Sequence, residues 1–275
     1  MQSDLEADLD LAIGAARAAG SIALRYWRTN LDVHHKSVGQ PVTRADIEID
    51  RALRDTLAGR RPEYGWLSEE SVDAPDRLAR SRVWVVDPID GTRSFIAGRP
   101  EFTISIGVAE SGVAVVGVIY NPATSELYWS VRGAGAFAAR NGSAPVRVFV
   151  REPDGEPALI LASRGEIRTG VLGTSAGRWS IEPSGSTAYK LARVGAGNAD
   201  AFVSRGEKAE WDVCAGGLIV EEAGGRATDL AGAELRYNRP DPRLVGVLAA
   251  SAGLHAELHE EFGRGVAGRR AAKEE

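Results

Sequence analysis

The chain has 275 residues, 44% of them hydrophobic, one cysteine and a net charge of −5. That length can bury roughly three quarters of the unfolded surface, as one large domain or two intimate ones. The lone Cys214 sits in an apolar run and has no internal partner for a disulfide, which points to a reducing, cytoplasmic setting. A pI near 5.6 argues against a nucleic-acid polymer as partner and leaves small acidic metabolites, which a local metal can still attract.

In chain order, Leu5, Leu9, Ile13, Ala16, Ala19, Ile22 and Tyr26 recur at spacings of three and four and predict a long amphipathic helix. Its acidic lead-in and the interrupting Arg17 suit neither a signal peptide nor a membrane span. A polar connection over residues 32–41, with His34, His35 and Lys36, precedes a second helix after Thr43. Two adjacent histidines point different ways in most geometries, so both read as surface residues.

The run 83–86 is apolar and reads as a buried strand that delivers Asp87-Pro88-Ile89-Asp90-Gly91-Thr92 into a tight turn. A carboxylate at the end of a buried strand needs a strong partner, and a divalent metal is one. Pro88 is expected to end the ladder, and Gly91 to let Asp87 and Asp90 converge, with backbone N–H groups beyond it facing an anion. Further strands are expected at 102–108, 113–120 and 126–131, with a hairpin turn at Asn141-Gly142, so that 83–150 forms a largely antiparallel sheet. The polar segment 151–157 is the expected boundary between an N-terminal α+β unit, 1–150, and a C-terminal α/β unit, 151–275. In the second, strands at 159–162, 199–203 and 244–249 alternate with helices at 187–194, 211–223 and 254–262, and residues 264–275 read as a solvated tail.

Other acidic positions stand beside the turn: Asp46 and Asp212 at helix starts, and Glu69-Glu70 before Ser71. Each has an ordinary reading, as a helix-dipole partner, an N-cap or an exposed loop. Together, Thr43-Arg-Ala-Asp46, Glu69-Glu70-Ser71, Asp87 to Thr92 and the run Trp211-Asp212-Val-Cys-Ala-Gly-Gly, continuing to Gly225, resemble the inositol monophosphatase superfamily of magnesium-dependent, often lithium-sensitive phosphatases. The resemblance extends over roughly residues 5–262. It implies an α+β fold, a layered αβαβα sandwich.

The same resemblance implies that Glu69, Asp87, Asp90, Asp212 and the Ile89 carbonyl hold two or three Mg2+ ions. Oxygen ligands suit that hard cation. It implies further that Thr92 and Asp46 pair to orient and deprotonate a water, with Glu70 assisting and Lys36 near the metals. Phosphate monoesters hydrolyse so slowly that rate enhancements reach about 10²¹-fold, roughly 25–30 kcal/mol, which paired metal ions help supply.

Substrate contacts are expected from Gly91, Thr92, Asp212 and the helix start Gly185-Ser186-Thr187. Where inositol phosphatases carry a glutamate seven residues before the metal aspartate, this chain has Arg205. Arg205, with Lys208 and Arg164, could pair with a second phosphate. Glu210 before Trp211, and the run from Leu235 through Asn238 to Arg243, resemble bacterial 3′(2′),5′-bisphosphate nucleotidases, which convert adenosine 3′,5′-bisphosphate to AMP. The alternatives are an inositol-1-monophosphatase, a histidinol-phosphatase, a fructose-1,6-bisphosphatase, or a non-catalytic phosphometabolite-binding protein. No membrane partner is expected, and a homodimer, common among such relatives, stays open.

Overall fold

The computed structural model describes residues 2–37, 40–154, 157–170, 172 and 178–263. The expected opening helix is α1, Gln2–Tyr26. Residues 32–41, expected as a plain connection, instead contribute to an antiparallel ribbon of β1, Val33–Ser37, and β2, Gln40–Thr43. Thr43 then caps α2, Arg44–Arg60. The reading of residues 264–275 as a tail lies outside the described residues.

Seven strands in the order β3-β4-β5-β6-β7-β8-β9 form the larger sheet: Gly65–Ser68, Arg82–Asp90, Thr103–Glu110, Val113–Asn121, Glu126–Val131, Gly135–Arg140 and Val146–Val148. Only β3 and β4 pair in parallel; every other neighbour is antiparallel, as the hairpin signals predict. Asn141 and Gly142 both take positive φ, but β8 and β9 pair only from Ala138 and Val146 outward, so the connection is wider than a two-residue hairpin. The short helix α3, Thr92–Ile96, follows β4.

The smaller sheet is mixed. It contains β10, Ala158–Ala162; β11, Trp179–Pro183; β12, Ala201–Ala209; β13, Arg226–Thr228; and β14, Arg243–Ala250, in the order β11-β10-β12-β14-β13. Between these strands the chain forms α4, Arg164–Thr169; α5, Thr187–Gly195; and α6, Glu210–Glu222, and α7, Ala252–Phe262, follows β14.

The layering follows from strand periodicity. On β6, Val118 joins the cluster containing Ala12, Ala16 and Ile49 of α1 and α2, while its neighbour Ile119 joins Ala188, Ala192, Ala215 and Ile219 of α5 and α6. Leu191 and Leu218 of those middle helices also pack on Phe202 and Val247 of the smaller sheet, whose other face buries Leu254 and Leu258 of α7. The result is the αβαβα sandwich. Paired Gly107 and Gly117 let α6 lie close on the larger sheet, because a Cβ at Gly117 would stand 2.7 Å from the Ala215 carbonyl.

Candidate active site

Strand β4 carries four fully buried residues, Val83 to Val86, and then two acids. Pro88 does not end the strand. Asp87 pairs with Ser105 and Asp90 with Thr103, so three steps on β4 face two on β5, a bulge centred on the proline. In a regular strand residues three apart point to opposite faces; the extra residue brings Asp87 and Asp90 onto one face. Asp87 Oδ1 accepts the Ile89 N–H at 3.1 Å and holds the turn. Gly91, at φ +96°, closes it where a Cβ would lie 2.8 Å from the Glu101 carbonyl.

Asp212 arrives from α6 by a different route. It is the third residue of its helix, and its Oδ2 accepts the Ala209 N–H at 2.8 Å. Asp46 is built alike at the start of α2, its Oδ2 accepting Thr43 N–H at 2.8 Å and Thr43 Oγ1 at 2.6 Å. Its Oδ1 is buried with no hydrogen-bond partner.

Carboxylate oxygens of Asp87, Asp90 and Asp212 lie within 4.8 Å of one another. Burial, and then the negative charges of Glu69, Asp90, Asp212 and Glu70, push the Asp87 carboxyl well above the usual carboxylate range. Burial and Asp90 raise Asp212 to about 7, against the opposing pull of Lys208. Burial raises Asp46 to about 6. Such a cluster either binds protons or binds a cation, and an all-oxygen donor set fits a hard divalent ion such as Mg2+.

Glu69, Asp87, Asp90 and Asp212 border a cavity of about 480 Å³ between the two sheets. Glu69, Asp87, Asp90, Gly91 and Thr92 line it from the larger sheet, and Gly185, Ser186, Thr187, Lys208 and Asp212 from the other side. Arg164 lines it too, held by Glu101 at 2.6 Å. The start of α5 serves Asp90: Ser186 Oγ donates to Asp90 Oδ2 at 2.7 Å, and the Ala188 N–H donates to the same oxygen.

Asp46, Ile89 and Glu70 stand apart from the lining, and Thr92, although on it, does not meet Asp46. Thr92 Oγ1 donates to the Ile89 carbonyl at 3.1 Å, and Asp46 bonds to Thr43, so the structure does not join Thr92 to Asp46. Ile89 is buried, and the Glu70 N–H donates to Ser68 Oγ at 3.4 Å. Lys36 lies in β1, with its side chain outside the described residues.

Arg205 is exposed and is not part of the cavity wall. Pairing of β12 with β14 slips between Ser204 and Glu207, and the Arg205 and Gly206 N–H groups donate to Glu166 Oε1 at 2.7 and 3.1 Å. The slip breaks the alternation on which a spacing argument depends.

Sequence reasoning missed several groups. Arg93, Arg99 and Arg168 also line the cavity, as does Lys190, which is buried over the Phe202 ring at 5.1 Å. Burial lowers the Lys190 ammonium to about 8, although Asp90 opposes the shift. The Asp50 carboxylate accepts Ser68 Oγ and, at 2.6 Å, Ser71 Oγ, tying the Glu69-Glu70 turn to α2. A serine on each side of two acids was the available signal, with a helical aspartate to receive them.

A family model described as "Inositol monophosphatase family" matches residues 4–267. The chain belongs to the inositol monophosphatase family. It is accordingly a phosphoric monoester hydrolase. Within the family it is 39% identical to an inositol-1-monophosphatase of Rhizobium meliloti, over 74% of this chain and 77% of that one. The structure of the extragenic suppressor protein suhB from Bartonella henselae superposes with a TM-score of 0.81 at 30% identity, covering 94% of this chain and 99% of that one. CysQ from Bacteroides thetaiotaomicron, a bacterial member of the same family, gives a TM-score of 0.74 at 27% identity, covering 89% and 97%. Among the described residues no helix is long and apolar enough to cross a membrane.

Proposed function

We propose that the chain hydrolyses a small phosphate monoester in the cavity, with Mg2+ held by Asp87, Asp90, Asp212 and Glu69 and the Ile89 carbonyl in reach. The convergence of three mutually repelling carboxylates on one cavity carries this reading. When bound there, Mg2+ lowers the pKa of an attacking water and neutralises phosphoryl oxygens. Asp46, with Oδ1 unengaged and its carboxyl at about 6, accepts a proton near neutral pH. Glu70 steadies Glu69 from the adjacent position, and Thr92, rotating from the Ile89 carbonyl, orients the water.

Inositol 1-phosphate is the substrate that the curated relatives favour, on the strength of their names. A second reading, a 3′(2′),5′-bisphosphate nucleotidase, is favoured by the cations on the cavity wall, Arg93, Arg99, Arg164, Arg168, Lys190 and Lys208. They exceed what one phosphate needs and suit a second anionic group.

Phosphate release from inositol 1-phosphate, adenosine 3′,5′-bisphosphate, fructose 1,6-bisphosphate and histidinol phosphate separates the readings by kcat/KM. A preference for inositol 1-phosphate supports the first; a preference for the nucleotide replaces it with the second. Asp87→Asn in saturating Mg2+ is expected to lose at least about 10²-fold in kcat, since a bound metal supplies several kcal/mol to the transition state. Full activity in that variant would refute the metal assignment.

A further inference from the structure

Two features of the sequence have no part in the chemistry above: Glu210, two residues before Asp212, and the segment around Asn238. The structure makes them one device. Glu210 is fully buried at the first turn of α6, and its carboxylate accepts the Asn238 N–H at 2.6 Å and the Arg239 N–H at 2.9 Å. Its own N–H donates to the Pro242 carbonyl at 2.8 Å, closing the loop onto the helix start.

Asn238 carries the connection onward. Its Oδ1 accepts Arg77 Nη1 at 2.8 Å, and its Nδ2 donates to the Arg77 carbonyl at 3.1 Å. Arg77, 1% exposed, also donates Nη2 to the Arg239 carbonyl at 2.9 Å and grips Asp73 with Nε at 2.6 Å. It lies directly against β3, since a Cβ at Gly65 would stand 2.9 Å from Arg77 Cβ. Strand β3 ends by delivering Glu69, and α6 begins by delivering Asp212.

We infer that Glu210, Asn238 and Arg77 form a buried positioning clamp that holds Asp212 in register with Glu69 for cation binding. This rests on the assignment of those two acids as ligands proposed above. A carboxyl group as deeply buried as Glu210, engaged by two backbone N–H groups of one loop that an arginine from another segment also holds, fixes the relative position of both segments more tightly than apolar packing would. Residues that orient metal ligands typically govern affinity by 10- to 100-fold.

Binding of Mn2+ alone, followed by the loss of its free-ion electron paramagnetic resonance signal, tests the clamp without relying on turnover. Glu210→Gln keeps the shape but replaces one acceptor by a donor. Asn238→Gly removes only the link to Arg77 and suits the positive φ of 57° there, so it preserves folding. Each is expected to weaken Mn2+ binding by about 10-fold, and the double variant to be no weaker than Glu210→Gln. Leu258→Ala, a core truncation in α7, is the control that lowers thermal stability and leaves Mn2+ affinity unchanged. Wild-type binding with equal affinity in both clamp variants overturns the clamp alone, and so does an equal loss in the Leu258 control. Failure of the wild type to bind Mn2+ overturns the metal assignment and the clamp with it.

Discussion

Gly91 shows how one residue fixes the site. Its φ of +96° is foreign to L side chains, and a Cβ would lie 2.8 Å from the Glu101 carbonyl and 3.1 Å from the Ser186 nitrogen. Gly91→Ala must strain the turn or part the two sheets, at a cost of about 1–3 kcal/mol. Urea unfolding is expected to show that loss together with a fall in kcat, because Asp90 and Thr92 flank the glycine; wild-type stability would contradict the close approach. The turn was legible because Asp87 to Thr92 is a local pattern, readable without the fold. Lys190 and Arg168 were not, since a cation on a helix reads as solvated until the opposing wall is known. Arg205 was misplaced by spacing, because the slip in β12 leaves no mark in the sequence but moves the lining role to Lys208.

Among the elements, α5 shows a helix start used on a protein group. Ser186 Oγ has one proton and donates it to Asp90 Oδ2, so it accepts from the Tyr189 N–H at 2.9 Å and from Thr103 Oγ1 at 3.1 Å. Ser186→Ala is expected to lose about 1–2 kcal/mol through the missing cap, and Ser186→Gly only a few tenths from the cap itself. Glycine also suits the φ of 55°. Both variants lose the bond to Asp90 and should fall alike in kcat, so stability and activity separate across the pair; equal unfolding midpoints would remove the cap from the account. Long periodic elements such as α1, α2 and α6 were readable. The strands β3, β11 and β13 and helices α3 and α4, of three to six residues, are shorter than the window in which periodicity distinguishes helix from strand.

Across the whole molecule, the acids that make the site also weaken the metal-free fold. Burial holds Asp212 and Glu210 at about 7 and Asp87 well above its ordinary value, whereas all three ionise near 4 in the unfolded chain. Their folded pKa values are raised, so between the two states the native chain binds more protons, and stability falls as pH rises through about 7. His255 acts oppositely: burial lowers it to about 4, so it withdraws stability only as pH drops below about 6.5, its unfolded value. Lys190, lowered to about 8, adds stability only at higher pH, toward its unfolded value near 10.5. The window from about pH 6.5 to 8 therefore belongs to the carboxylates. With chelator present, each proton retained by the native state costs about 1.4 kcal/mol per pH unit, and a chain of this size loses about 2–4 °C of Tm per kcal/mol. Thermal unfolding is expected to show Tm falling by several degrees across that window without Mg2+, and a shallower profile with it, because a bound cation replaces the protons of Asp87 and Asp212 while Glu210, bonded to the Asn238 and Arg239 N–H groups, still titrates. The gain from Mg2+ should thus be largest at the alkaline end; a gain independent of pH would mean that the cation binds away from Asp87, Asp90 and Asp212.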